Sequence, residues 1–244
     1  MNMRGLILAL QFLTRLPTPQ VADFRPEDLS RSSDWFPVVG LLIGCCVAGG
    51  VWAAGQVTPW IGALAGLLIW VWITGALHLD GLGDVTDALA AAHRTPARFL
   101  EVLRDPHIGA FGAIAIGMQL IAKIVLLAEI TRLSVLASLV LVPAWARWGT
   151  LVWSSTVPPL ASGTGERFSW QITKASTVLQ GAALAGLSLW LSPALLAALL
   201  IIPAISLYWR MRLGGITGDC LGASVEVTEA LLLVAAVLAA AWTF

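Results

Sequence analysis

Three aspartates in the stretch H-L-D-G-L-G-D-V-T-D, Asp80, Asp84 and Asp87, are spaced i, i+4, i+7. At about 100° per helical residue they fall within roughly 60° of one another and stack along one face. Like charges placed this way repel, and no Lys or Arg occurs between Leu79 and Ala92 to relieve them. A bound divalent cation is the economical compensation. The plainer alternative is a solvated polar face at the end of a membrane span, and the adjacent apolar run makes it the less favoured one.

A second acidic stretch, G-G-I-T-G-D-C-L-G-A-S-V-E-V-T-E, covers 214–229. Asp219 and Glu226 share a face if it is helical, with Glu229 a turn later. Gly214, Gly215, Gly218 and Gly222 either expose backbone amides to phosphate oxygens or let two helices pack closely, and sequence does not separate these readings. Between the two clusters lie Arg94, Arg98 and Arg104 with Asp105, followed by P-H-I-G-A-F-G at 106–112. Cations suited to phosphate thus sit beside candidate metal ligands. His78 and His107 are candidate acid–base groups or ligands, although a histidine near a helix end is more often simply hydrogen-bonded. Lys123, Glu129 and Arg147 fall within or beside apolar runs, where a charge is costly and calls for a partner. Membrane-edge carboxylates with nearby arginines suit metal-assisted phosphoryl or nucleotidyl transfer.

The elements that must position these residues follow from composition. Of 244 residues, 58% are hydrophobic and 11% charged, with a mean hydropathy of +0.86. Soluble domains carry about 25% charged residues, so this chain cannot cover a water-facing surface. It is expected to be an all-α, polytopic membrane helix bundle forming a single integral membrane domain over 1–244. Zero net charge gives no electrostatic reason to bind nucleic acid. The three cysteines, adjacent Cys45 and Cys46 and distant Cys220, make no zinc or disulfide framework.

About seven transmembrane helices are expected, near 36–55, 60–77, 109–128, 134–156, 175–191, 194–209 and 227–241, with the first break at Gln56-Val57-Thr58-Pro59. Residues 1–16 run from Arg4 into Arg15 and Pro17 without a small-residue cleavage site, which reads as a retained interfacial or re-entrant helix. With seven spans, eleven of the fourteen Lys and Arg fall on one side: Arg4, Arg15, Arg25, Arg31, Arg94, Arg98, Arg104, Arg167, Lys174, Arg210 and Arg212. Only Arg132 falls on the other, so the N-terminus and both acid clusters are expected in the cytoplasm. No internal repeat of the transporter kind is visible.

At these residues the chain resembles cobalamin synthase, the adenosylcobinamide-GDP ribazoletransferase family. The resemblance is carried by F-L-T-R-L-P-T-P at 12–19, F-P-V-V-G-L-L-I-G at 36–44, L-H-L-D-G-L-G-D-V-T-D at 77–87, R-D-P-H-I-G-A-F-G at 104–112 and G-I-T-G-D-C-L-G-A at 215–223. The third and fifth blocks are the specific ones. Gly83 replaces a usual alanine and Ala88 a usual glycine, both outside the carboxylates. The resemblance implies a Mg2+-dependent transfer between adenosylcobinamide-GDP and α-ribazole or its 5′-phosphate, giving adenosylcobalamin or its 5′-phosphate and GMP. It implies Asp80, Asp84 and Asp87 as magnesium ligands, with Asp87 doubling as base. Asp219 and Glu226 would complete the metal or substrate site, Arg15 and Arg104 would meet the GDP phosphates, and His78 and Asp105 would also bind substrate. The expected location is the inner membrane of a prokaryote, with the active site facing the cytoplasm; a homo-oligomer is compatible with this. Two other readings remain open. One is a CDP-alcohol phosphotransferase-like phospholipid enzyme, although the D-G-x-x-A-R start of that motif is absent. The other is a secondary transporter, whose acids should sit near the bilayer midplane.

Overall fold

A backbone in lipid must satisfy its N–H and C=O groups internally, so a chain this apolar can form helices or a closed barrel. It forms helices. The computed structural model describes residues 3–21, 26–92, 95–161 and 172–242, so that Arg25, Arg94 and Arg167 lie outside the described residues. The elements are α1 (Met3–Leu13), α2 (Pro26–Ser32), α3 (Phe36–Gly55), α4 (Pro59–Thr74), α5 (Leu77–Ala91), α6 (Pro96–Val102), α7 (Ala110–Arg132), α8 (Ala137–Thr156), α9 (Lys174–Leu191), α10 (Ala198–Arg212) and α11 (Gly218–Ala241). No strand occurs among the described residues beyond a single bridge between Pro159 and Ile216.

Every expected span falls on a helix, with two boundaries moved. The last helix starts at Gly218 rather than near Val227, with Thr217 capping it by accepting the Cys220 amide at 3.2 Å. Glu226 and Glu229 are therefore inside a span, because Lys123 and Arg147 reach them there. The span expected at 194–209 begins as a 3-10 turn, Pro193–Ala197, before α10.

The crossing count comes out lower than seven on length and composition. Among the described residues four helical stretches, Ser30–Gly55, Ala110–Arg132, Pro193–Arg212 and Gly218–Ala241, are long and apolar enough to cross a membrane, and α4 with α5 qualifies only as a bent pair. Helices α8 and α9 have the length and fall below that apolarity. For α8 the reason is burial: Trp145, Arg147, Thr150 and Ser154 face other helices rather than lipid, so the segment need not be uniformly apolar. Lipid is met instead by exposed Trp52, Leu68, Trp72, Ile114, Met118 and Leu200. Helix α1, eleven residues long, covers only about 16 Å at 1.5 Å per residue and cannot cross.

Helix α3 docks on α8 backbone to backbone. A Cβ on Gly40 would lie 2.6 Å from the Ala144 Cα, and one on Gly44 would overlap the carbonyls of Leu139 and Val140. The Leu139 carbonyl is the one that Pro143, lacking an N–H, cannot bond within the helix. Helix α4 ends at Gly75 and Ala76, both left-handed with φ of 61° and 60°. Glycine adopts this at little cost and alanine does not, so the pair marks a fixed corner. Beyond it α5 departs at 84° from α4. The bend takes α5 off the axis of α4, so the two do not continue as one straight span.

Candidate active site

Glycine brings the two acidic stretches together. A Cβ on Gly81 of α5 would lie 2.9 Å from the Asp219 carbonyl oxygen, and one on Gly222 of α11 would sit 3.5 Å from the His78 Cα. The close approach is at Gly81, where no side chain fits, whereas a Cβ at Gly222 would make ordinary contact. Asp80 and Asp219 consequently line one cavity of about 390 Å³, with His78, Arg104, Thr150 and an apolar wall that includes Phe12 and Phe36. The two phenyl rings stack at 5.9 Å. Arg15 shares a neighbouring groove with Asp80, its amide donating to the Ile73 carbonyl at 2.7 Å and its side chain lying over Gly75. Asp84, Asp87, Asp105 and His107 line a further groove.

The three aspartates of α5 share a face but not an environment. Asp87 is clamped: its Oδ2 accepts the Gly109 amide at 2.7 Å and its Oδ1 the Gly112 amide at 2.9 Å. These amides open α7, so Asp87 caps that helix from another element. Side chains at Gly109 or Gly112 would run into the Asp87 carboxylate, which accounts for both glycines of the G-A-F-G run. Asp80 and Asp84 accept no hydrogen bond from the described residues. Burial, then the charges of Asp80, Asp219 and Asp87, push the Asp84 carboxyl up to about 6. Asp105 is held below the usual carboxylate range by the His107 ring, 2.7 Å away, and the His107 amide.

Among the described residues no three carboxylate, imidazole or thiol groups close on one point as a ready-made metal cage. Magnesium does not need one, since it keeps waters and is commonly held by one or two carboxylates together with substrate phosphates. Unpartnered Asp80 and Asp84, repelled by each other and by Asp219, fit a cation held in that way.

Glu226 is placed elsewhere. It is 4% exposed and lines none of these openings; its Oε2 takes Lys123 Nζ at 2.7 Å and Gln119 Nε2 at 2.7 Å. Lys123 also meets Glu229 Oε2 at 2.6 Å, Arg147 Nη1 pairs with Glu229 Oε1, and Arg147 Nη2 lies 3.3 Å from His78 Nδ1. The charges in apolar runs therefore find partners, and Glu129 does too, meeting Arg132 at 2.6 Å on the surface. Sequence reasoning missed Thr150 on the cavity wall and the amides of Gly109 and Gly112. Nothing marks one threonine in a span, while the glycines were visible as a motif without a stated task.

The family model described as cobalamin-5-phosphate synthase matches residues 5–237, nearly the whole chain. The chain belongs to that family. Cobalamin-5-phosphate synthase relatives of similar length include the adenosylcobinamide-GDP ribazoletransferase of Thiobacillus denitrificans, 51% identical with 98% of each chain covered. That of Laribacter hongkongensis is 53% identical, covering 97% of this chain and 98% of its own. That of Novosphingobium aromaticivorans is 46% identical with 98% of each covered. No solved structure matches. The family match takes in every element that lines the cavity and grooves, and the chain is a multi-pass membrane member of the cobalamin-5-phosphate synthase family.

Proposed function

We propose that this protein transfers the cobinamide phosphate of adenosylcobinamide-GDP to α-ribazole or its 5′-phosphate, releasing GMP, and that it depends on magnesium. The observation that carries the reading is the convergence of Asp80, Asp84 and Asp219, brought together from opposite ends of the sequence and left without cationic partners, beside Arg104. The ribazole 3′-hydroxyl oxygen forms a bond to the phosphorus attached to cobinamide. The bond from that phosphorus to the GMP phosphate oxygen breaks, and GMP leaves with the electron pair. The hydroxyl proton goes to a carboxylate. Asp84 suits this better than Asp87, because both Asp87 oxygens are held by backbone amides and neither Asp84 oxygen is. Asp80, Asp84 and Asp87, with Asp219 alongside, would hold magnesium, which would supply charge neutralisation to the pyrophosphate and to the departing phosphate. Arg104 and Arg15 contact the GDP phosphates, Asp105 lines the groove where substrate enters, and the stacked Phe12 and Phe36 offer a flat apolar wall to a heterocycle. Purified protein with magnesium and both substrates is expected to release GMP in proportion to corrinoid product. No GMP, or GMP released equally without α-ribazole, would overturn the reading.

The same proposal places the cavity and the N-terminus in the cytoplasm, supported by Arg4, Arg15 and Arg31 ahead of α3 against no Lys or Arg in the α3–α4 turn, with Phe12 of α1 and Phe36 at the start of α3 lining the cavity. In a background lacking Cys45, Cys46 and Cys220, a cysteine at Glu101, 67% exposed on α6, is expected to resist an impermeant thiol reagent in intact cells. One at Val57, 72% exposed in the α3–α4 turn, is expected to react. The reverse pattern would invert the orientation.

A further inference from the structure

The acids of this protein fall into two electrostatic classes. Asp80, Asp84 and Asp219 are uncompensated, whereas Glu226 and Glu229 face Lys123 and Arg147, two charges against two, in contact distances of 2.6 and 2.7 Å for the lysine. The second set is neutral without any added cation. Buried ion pairs are expensive to assemble, and an apolar replacement would often serve stability as well. What distinguishes this network is that it touches the cavity at one residue, His78.

A guanidinium has donors and no acceptor, so the His78 Nδ1 that lies 3.3 Å from Arg147 Nη2 must accept. The ring's single proton is then on Nε2. His78 is 6% exposed, yet Nε2 has no partner among the described residues and is not among the enclosed unpaired atoms, so it opens into the cavity that Asp80 and Arg104 also line. A histidine serving only the core would have Nε2 bonded to protein. Arg147, by contrast, leaves its own Nε buried and unpaired. Its fork is oriented toward Glu229 and His78 at the cost of its own full satisfaction.

We infer that Arg147 and Glu229 are positioning residues acting through His78: they fix the imidazole as the Nε2–H tautomer and so present a neutral donor to a phosphate oxygen of the substrate in the cavity. This rests on the phosphoryl-transfer reading above. A neutral donor has a specific advantage here. A charged ring in the cavity that Asp80 also lines would add a cation beside the carboxylates, while a neutral Nε2–H hydrogen-bonds phosphate and leaves them free.

The test uses the double variant Arg147→Met/Glu229→Gln, which removes one charge of each sign and leaves Lys123 and Glu226 to balance each other. The chain has three histidines, so ¹⁵N-histidine labelling in nanodiscs gives few signals, and His78→Gln assigns the one of interest. The wild-type protein is expected to show His78 as a single Nε2–H tautomer, and the double variant a mixture. Turnover of the double variant should fall roughly tenfold or more, with the KM for adenosylcobinamide-GDP moving far less, as for loss of a preorganised donor. On a His78→Gln background the same double change should cost little more, because the glutamine N–H needs no guanidinium to place its proton. A structural role predicts instead losses that add and that track melting temperature. Wild-type turnover in a folded double variant, additive losses, or a wild-type His78 protonated on Nδ1 would each overturn the inference. The wild-type spectrum decides the tautomer even if the double variant does not fold. It also needs no substrate, so absence of GMP release by wild type would sink the transfer reading and be recognised as a separate failure.

Discussion

Asp84→Asn is expected to release no GMP above background, while melting in magnesium-free buffer at the temperature of the parent or higher. Turnover is lost because the variant gives up both a ligand charge and the acceptor of the hydroxyl proton. Stability moves the other way because ionised Asp84 is partly desolvated by burial and is also repelled by Asp80, Asp219 and Asp87. Its carboxyl is raised from 3.8 to about 6 in the fold, so the folded protein binds that proton more readily than the unfolded chain does. The cost of ionising it is absent below about 4, grows between about 4 and 6, and is fully present above 6. The melting advantage of asparagine should follow that window, reduced by the solvent around this partly exposed group. Added magnesium should stabilise the parent and shrink the difference. Near-normal turnover of Asp84→Asn at ordinary magnesium would remove Asp84 from the chemistry.

The second large effect is expected at Asp219→Asn. Turnover should fall roughly a hundredfold or more, the loss typical of one preorganised electrostatic contact. Thermal stability should hardly change. The helix is capped by Thr217, not Asp219, and Asn in place of Asp near a helix start costs at most about 1 kcal/mol in any case. Measuring melting temperature and turnover on one preparation separates the roles, and normal activity would take Asp219 out of the site.

Much of this arrangement was legible because it rests on periodicity. The i, i+4, i+7 spacing placed Asp80, Asp84 and Asp87 on one helix, and unbroken hydropathy located α3, α4 and α7. Shared sidedness and the family resemblance led to the expectation that Asp219 and Glu226 both lie beside the triad; Asp219 lines the cavity with Asp80, and Glu226 does not. What sequence withheld was partnership across long separations. Gln119 and Lys123 lie on α7 and Glu226 and Glu229 on α11, and only the docking of those helices tells an acid that needs a metal from one already neutralised. The start of α11 was misplaced for the same reason, since Glu226 looks too polar for a span until its lysine is found. Asp87 is a similar case: its amide donors follow 22 and 25 residues later, and no spacing rule links a carboxylate to a distant helix start.

The seam between α3 and α8 has an evolutionary corollary. Where Gly40 and Gly44 meet the α8 backbone there is no side chain to repack, so a larger residue cannot be absorbed by a neighbouring rotamer and must push the whole helix away. Helix α8 carries Arg147 a turn beyond Ala144, so such a shift would move the guanidinium from His78 as well as loosen the bundle. A saturation library selected for function should therefore be nearly empty at Gly40 and Gly44, while lipid-facing Leu64 and Ile121 drift freely among apolar residues. Two hydrogens on one helix set the mutational horizon of a site on another.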